Sequence, residues 1–211
     1  EESLTTPHVH SIPPLPEGEH EIMVRIDNRK RYNLTNREMA HSYTEETQIK
    51  WNGILGCIEL SAVPTVKIDD IRVYPDIEDR SIRVLTTLVR TEKVEEGTLI
   101  LNVKGFGKKE LPVILDKDTV KVDAVYSMGK KAELWDEFSP VVYTLDASFG
   151  DASYTTDFGL REIDNKDAHI NINGRRVFMR GTLDCCIFPL TGNPPTDEAG
   201  WEKVFNSAKE W

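Results

Sequence analysis

An acidic side chain and two thiols stand side by side at Asp184, Cys185 and Cys186. A carboxylate can accept hydrogen bonds from a ligand hydroxyl, and a thiol becomes a nucleophile when a neighbouring base takes its proton. No motif places a His, an Asn or a second acid to activate Cys185, which disfavours a compact enzyme built on this pair. An ion-paired or capping role for Asp184 competes with ligand binding. A disulfide between the adjacent cysteines would be strained, so we expect none.

Other groups occur in pairs whose spacing could serve chemistry. His8 and His10 have the i, i+2 spacing that puts both side chains on one face of a strand, as a metal pair would require. No third ligand follows nearby, so exposed loop histidines are the simpler interpretation. Adjacent acids occur at Asp69-Asp70, Glu45-Glu46 and Glu95-Glu96, but neighbours in a strand point to opposite faces. We therefore expect solvated turns and edges at these acids.

The residues above belong to an acidic chain of globular composition. The 211 residues carry 36 acidic and 26 basic side chains, a formal net charge of −10. This charge repels a phosphate backbone, so we expect no nucleic-acid partner. No apolar run approaches the roughly 20 residues that span a bilayer, so we expect no membrane partner.

Cys57 is expected to be a small buried hydrophobe. No signal-peptide pattern follows Glu1, so location has to be inferred indirectly.

Most of the chain alternates apolar and polar residues with the period of two that predicts β-strands. Alternation over 22–26 and 54–62 predicts strands before Pro64. After Pro64 the pattern predicts seven strands, over residues 66–74, 81–91, 98–104, 111–115, 119–126, 141–149 and 154–163. Seven short strands in about 100 residues, separated by Gly, Asp and Lys turns, are expected of an immunoglobulin-like β-sandwich.

The pattern changes at the C-terminal end. Asn173-Gly174 predicts a tight hairpin, because both turn positions need positive φ. Residues 177–181 then have the pattern of a strand. An amphipathic helix with Thr196 as its N-cap is predicted by four apolar residues at i, i+3, i+4 and i+7, which are Trp201, Val204, Phe205 and Ala208. Strand, loop and helix in this order predict the first βα unit of a parallel barrel, with the loop at its mouth.

Several short sequences occur in an order that resembles glycoside hydrolase family 2, the β-galactosidase and β-glucuronidase group. Residues 134–145 (LWDEFSPVVYTL) and 157–163 (DFGLREI) resemble the end of its immunoglobulin-like second domain. Residues 47–56 (TQIKWNGILG) resemble closing strands of its jelly roll, and residues 172–181 (INGRRVFMRG) resemble the entry into its catalytic barrel. Within the sandwich we expect core packing by Trp135, Pro140 and Tyr143, with a corner hydrogen bond.

The resemblance implies three parts of a larger enzyme. Residues 1–65 would be the C-terminal part of a jelly-roll sugar-binding domain, residues 66–163 the sandwich, and residues 164–211 the start of a (β/α)₈ catalytic barrel. A complete barrel needs roughly 250 residues and a jelly roll about 8 strands, more than the flanking regions supply. The fold expected is therefore mainly β, with jelly-roll strands before the sandwich and one βα unit after it.

The resemblance also implies a set of site residues. Family members carry a catalytic Asn-Glu pair, which this sequence lacks, so both catalytic Glu would lie beyond Trp211. We accordingly assign no catalytic residue, cofactor or metal to the chain. The candidate substrate contacts are Asp184 and Cys185, in the loop after the first barrel strand, and Glu46 and Thr47, in the jelly-roll region.

These expectations combine into one function and one alternative. The chain would be a non-catalytic part of a retaining exo-β-glycosidase of carbohydrate metabolism, with the sandwich as a structural spacer. The alternative is a free-standing carbohydrate-binding or adhesion module, since sandwiches host many binding functions. The expected partners are a carbohydrate, reached through the intact parent enzyme, and a second copy of the chain, attracted by exposed apolar stripes. The expected location is periplasmic or secreted.

Overall fold

A computed structural model describes residues 6–27, 29, 53–54, 56–92, 96–165, 168–181, 183, 188, 190–192 and 194–210. The chain divides into two compact units, one of Glu59–Thr182 and the other of Glu1–Ile58 with Leu183–Trp211. Among the described residues, the strands all lie in the first unit and the helix lies in the second. That helix is too short and too polar to cross a bilayer.

Seven strands form the body of the first unit. In chain order they are β1 (Val66–Asp76), β2 (Ser81–Arg90), β3 (Glu96–Val103), β4 (Gly107–Ile114), β5 (Thr119–Ser127), β6 (Tyr143–Phe149) and β7 (Ala152–Phe158). One antiparallel sheet has the order β1-β2-β5, and the other has the order β4-β3-β6-β7. The predicted seven-stranded, mainly β sandwich is therefore confirmed.

The core lies between the two sheets because alternate residues of each strand are apolar and point inward. On β2, for example, Val84 is fully buried while its neighbour Arg83 is exposed. The large apolar side chains with 0% exposed area in this core are Ile82, Val84, Leu88, Leu99, Leu101, Val103, Leu145 and Leu160. Burying a side chain of this size stabilises a fold by about 1.5–3 kcal/mol.

Two tyrosine hydroxyls fix the connections of the sandwich. Tyr126 donates to the Gly107 carbonyl at 2.5 Å and accepts from the Val103 N–H at 3.4 Å, which links β5 to the opposite sheet. Tyr143 accepts from the Glu133 N–H at 2.7 Å and donates to the Glu133 carbonyl at 3.3 Å. This second pair confirms the predicted corner hydrogen bond. Pro140 is exposed, so the prediction that it packs in the core is wrong.

A small sheet follows the sandwich. It consists of β8 (Ile163–Asp164), β9 (Asn171–Ile172) and β10 (Arg175–Arg176), in the order β10-β9-β8. Asn173 and Gly174 join the last two strands with φ of 51° and 73°. Two consecutive positive φ values match the right-handed twist of a hairpin, and Asn and Gly adopt them most readily. The hairpin predicted from Asn173-Gly174 is confirmed.

The strand predictions outside these sheets are wrong for the described residues. Residues 177–181 form no strand, although the Val177 N–H donates to the Ile170 carbonyl at 2.9 Å. Residues 22–26 and 56–62 form no strand either, and Ile22 and Ile58 are 64% and 73% exposed. Alternation marks a face that could be buried, but a strand also needs a paired neighbour. The described residues therefore contain neither flanking jelly-roll strands nor a first barrel strand.

Cys57 is exposed, so its predicted burial is also wrong.

The helix of the second unit, α1, spans Glu198–Lys209. Its N-cap is Asp197, whose carboxylate accepts from the Gly200 N–H at 2.7 Å, so the prediction of Thr196 is wrong by one residue. Asp197 has the extended backbone that lets a short acidic side chain reach the third helical N–H. Trp201 stacks on Phe205 with 5.9 Å between ring centroids, which confirms that these two of the four predicted apolar residues share one face.

Candidate functional site

The four substrate contacts implied by the sequence lie outside the described residues. These are Asp184, Cys185, Glu46 and Thr47. Leu183, which precedes the acidic residue, is described and is 88% exposed. The barrel mouth therefore stays a prediction, and the site that can be built from described residues is the junction between the sandwich and the β9–β10 hairpin.

The junction starts from a loop that a single carboxylate shapes. Asp136 accepts from the backbone N–H groups of Phe138 and Ser139, each at 2.8 Å. These hydrogen bonds, that of Ser139 foremost, lower the pKa of Asp136, because they stabilise its ionised form. An Asp side chain that accepts hydrogen bonds from the backbone N–H groups two and three residues later forms a local turn. The turn fixes Glu137 and Phe138 on the side that faces the hairpin.

Asn173 attaches the hairpin to this loop and to Glu162, which directly precedes β8. Its side-chain oxygen accepts from the Glu162 N–H at 2.9 Å, and its own backbone N–H donates to the Glu162 carbonyl at 2.9 Å. Its side-chain nitrogen donates to the Trp135 carbonyl at 2.9 Å. One residue therefore makes three hydrogen bonds to two other segments, while its positive φ turns the chain.

Arg175 makes the second attachment. Its Nη2 atom lies 2.6 Å from Oε2 of Glu137, and its guanidinium lies 5.4 Å from the centre of the Phe138 ring. The hydrogen bond lowers the pKa of Glu137 and raises that of Arg175, because each charge stabilises the other. Because the pair is exposed to water, it adds little to the stability of the fold. Its main effect is to orient the hairpin relative to the loop.

Trp135 is the residue around which the junction is packed. Its backbone N–H donates to the Leu160 carbonyl at 2.9 Å, and the Arg161 guanidinium lies 4.3 Å from its ring centre. Gly159 touches the indole so closely that a Cβ there would lie 2.9 Å from the Trp135 Cβ and Cγ atoms. The half-buried indole thus caps the end of the sandwich.

The acidic pair Asp69-Asp70 and the histidines His8 and His10, all of which the structure describes, form no common site. Asp69 pairs with Lys67 at 2.5 Å, and Asp70 pairs with Arg72 at 2.8 Å. This confirms the solvated role predicted for Asp69-Asp70; Glu45-Glu46 and Glu95 lie outside the described residues. His8 and His10 are both exposed, and no group of three or more potential metal ligands occurs among the residues that the structure describes.

Sequence reasoning missed the junction contacts, although part of the signal is present. The segment 136–139 (DEFS) carries the Asp and Ser that favour a turn, and Asn173-Gly174 marks the hairpin. The sequence does not show that the Asn173 side chain bonds to Trp135 and Glu162, which lie 38 and 11 positions earlier. Such contacts depend on the packing of β6 and β7, so they follow only from the fold.

The junction consists of hydrogen bonds, one ion pair and aromatic contacts that attach the β9–β10 hairpin to the sandwich. A sandwich of two antiparallel sheets with a tyrosine corner defines the fold class as an immunoglobulin-like β-sandwich domain. Residues 66–161 match the family model described as Glycosyl hydrolases family 2. This match confirms the resemblance to that family drawn from the sequence.

Individual relatives extend the comparison. Over 186 residues the chain is 23% identical to the beta-galactosidase large subunit of Latilactobacillus sakei, covering 83% of this chain and 29% of the relative. The chain thus spans less than a third of the length of that protein.

Among solved structures, the GH2 beta-galacturonidase of Eisenbergiella tayi bound to galacturonate is 18% identical, with a TM-score of 0.47 over 54% of this chain and 21% of that one. The beta-glucuronidase of Parabacteroides merdae is 24% identical, with a TM-score of 0.43 over 57% of this chain and 16% of that one.

Proposed function

We propose that this chain is the non-catalytic part of a retaining exo-β-glycosidase of carbohydrate metabolism and that its sandwich is a structural spacer. The observation that carries the proposal is the attachment of the β9–β10 hairpin to the end of the sandwich through Asn173 and Arg175. The attachment sets the direction in which the chain continues past Arg176. A spacer needs this property, because a barrel has to be held at a fixed angle to the domain before it.

The pKa shifts of two described carboxylates, Glu137 and Asp123, suit this role. Retaining glycosidases need a proton donor with a raised pKa and a second carboxylate about 5–5.5 Å away. Arg175 lowers the pKa of Glu137, and Arg83 lowers the pKa of Asp123. Carboxylates that are stabilised in their ionised form hold a structure together but are poor proton donors.

The remaining parts of the function rest on the family relationship. The parent would hydrolyse a terminal β-linked sugar with two Glu that follow Trp211. The loops that contain Asp184, Cys185, Glu46 and Thr47 would shape the rim of its pocket. The parent would act in the periplasm or outside the cell, and copies of the chain would associate through exposed apolar residues such as Phe205, which is 58% exposed.

An assay of two chain lengths tests the catalytic assignment. This chain and a version continued through the rest of the reading frame are incubated with a panel of nitrophenyl β-glycosides. We expect turnover by the extended chain and none by the short one above a heat-killed control. Turnover by the short chain that is lost in Asp184→Asn would overturn the proposal.

A second measurement separates the spacer from the alternative of a free-standing adhesion module. This chain, without the C-terminal extension, is applied to a glycan array of neutral oligosaccharides. A spacer retains none of them, whereas strong binding to one neutral glycan would favour the adhesion module.

A further inference from the structure

The outer face of the β4-β3-β6-β7 sheet carries a row of polar side chains that crosses all four strands. The register pairs Asn102 with Lys108 on one side and with Asp146 on the other, and it pairs Asp146 with Thr155. Directly paired residues point to the same face, and these alternate with the buried residues of each strand. At about 4.8 Å per strand, the row is about 14 Å long.

A shallow groove of about 290 Å³ follows this row. Its lining mixes apolar surface, including half-buried Ile100 and buried Ala147, with the polar groups of the row and the hydroxyls of Ser148 and Ser153. Small-molecule sites combine an apolar surface with a few placed polar groups. This volume lies near the lower end of the range for such sites, which suits one or two sugar rings.

The polar groups of the groove differ from those on the outer face of the β1-β2-β5 sheet. Two pairs of opposite charges occur there, Arg83 with Asp123 and Arg72 with Asp70, while exposed Lys121 has no hydrogen-bond or ion-pair partner among the described residues. In the groove Asp146 accepts from the Thr155 hydroxyl at 2.8 Å, which orients that carboxylate. Within the part of the chain that the structure describes, the Lys108 ammonium and the Asn102 amide have no hydrogen-bond or ion-pair partner.

We propose that this groove binds a pyranose that carries one carboxylate. Lys108 and Asn102 stand opposite each other on adjacent strands, so the ammonium and the amide N–H can each donate to one oxygen of a ligand carboxylate. Asp146, one strand further, accepts from ring hydroxyls, and Ser148 and Ser153 complete the polar wall. Ile100 faces the apolar C–H side of the ring.

The charge order along the row fixes the orientation of the ligand. The cation is at the β4 end and the anion lies two strands away, about 10 Å at the spacing of a sheet. A carboxylate is therefore attracted to the Lys108 end and repelled from the Asp146 end. Glu110 is on the same face of β4, but it is not part of the groove lining. This binding site is separate from the spacer role, and each can fail without the other.

The test titrates this chain with a matched pair of ligands while backbone amide NMR signals are recorded. One ligand is the methyl glycoside of a hexuronic acid, and the other is the methyl glycoside of the corresponding neutral hexose. Sodium acetate at equal concentration measures the effect of the anion alone. We expect saturable shifts at Asn102, Lys108 and Ser148 with the uronic acid, and weaker or no shifts with the neutral sugar and with acetate.

Matched variants locate the binding site. Lys108→Gln is expected to weaken binding of the uronic acid roughly threefold, because an exposed ion pair contributes little more than this. Lys121→Gln, an exposed lysine on the opposite sheet, is expected to leave binding unchanged. Equal shifts with the acidic and neutral sugars, the absence of shifts in the groove, or equal weakening by the two variants would overturn the proposal. An unchanged melting temperature of Lys108→Gln confirms that the variant remains folded.

Discussion

The core of the sandwich and the junction at its end are held by different forces. Leu99, Leu101 and Leu145 lie between the sheets with no exposed area, so water has no access to the contacts that stabilise them. At the junction, Asn173 and Arg175 bind through hydrogen bonds and an ion pair that are partly exposed. The core therefore sets whether the domain folds, and the junction sets where the hairpin points. We therefore expect that the junction can be loosened without unfolding the sandwich.

The largest effect is expected from a cavity in the core. Leu101→Ala removes a fully buried side chain from β3 and should lower the free energy of unfolding by about 2–5 kcal/mol. Urea unfolding followed by circular dichroism measures the change. Ile114→Ala, at a position 73% exposed on β4, is the matched control and should change the free energy by less than about 0.5 kcal/mol. Equal losses in the two variants would contradict the position of the core.

A smaller effect is expected where the core meets the junction. Gly159→Ala would put a methyl group 2.9 Å from the Trp135 Cβ and Cγ atoms and force the indole away from its place. Overpacking of this kind costs about 1–3 kcal/mol. Gly181→Ala is the control, because a Cβ there meets no atom within 4 Å. Thermal melts of the two variants that coincide with the parent chain would count against the Trp135 contact.

Asn173→Gly should loosen the junction and leave the sandwich intact. Glycine keeps the positive φ of the turn and the backbone bond to the Glu162 carbonyl, but it removes the two side-chain hydrogen bonds to Trp135 and Glu162, which should cost roughly 1 kcal/mol of local stability. Hydrogen exchange of the β9 and β10 amides should become faster, with no change for β2. If Asn173→Gly slows exchange or leaves it unaltered, the side chain is not the attachment.

Gly174→Val tests the turn itself, since a β-branched residue fits a φ of 73° poorly.

The smallest effect is a loosening of the junction by acid. Arg175 lowers the pKa of Glu137 from its ordinary value of 4.5. A group whose pKa is lower in the folded state stabilises that state above its ordinary value, and this contribution is lost as the pH falls through the lowered pKa. The amide signals of the hairpin should therefore shift below pH 4.5. Arg175→Gln should remove this dependence, and its persistence in that variant would assign the titration to another group.

The sequence allowed the sandwich to be predicted almost strand by strand, because alternation and turn residues are local signals. β2 illustrates this, with inward-pointing Val84 and Leu88 on one face. The helix was predicted one residue out at its cap, since Thr196 and Asp197 are both good N-caps and only the backbone decides between them. Residues 177–181 have a strand pattern but no paired strand in the described residues, so the pattern alone was insufficient.

The candidate site was predictable to a lesser extent. The family relationship proposes Asp184, Cys185, Glu46 and Thr47 as substrate contacts, and these assignments stay predictions. The junction and the groove could not be predicted, because both join residues that are distant in sequence. Asn102 meets Asp146 only through the register of β3 and β6, and no local pattern specifies that register.

Hydrogen exchange of the whole chain, read residue by residue, tests the central claim most directly. A rigid spacer requires that the amides of β2, β3 and β6 exchange only when the whole domain unfolds, and that the paired amides of β9 and β10 exchange more slowly than those of residues 21–27, which form no strand. We expect this order of exchange rates. Exchange of the hairpin as fast as residues 21–27, or of the core strands as fast as the hairpin, would contradict the claim that the sandwich is a rigid mount.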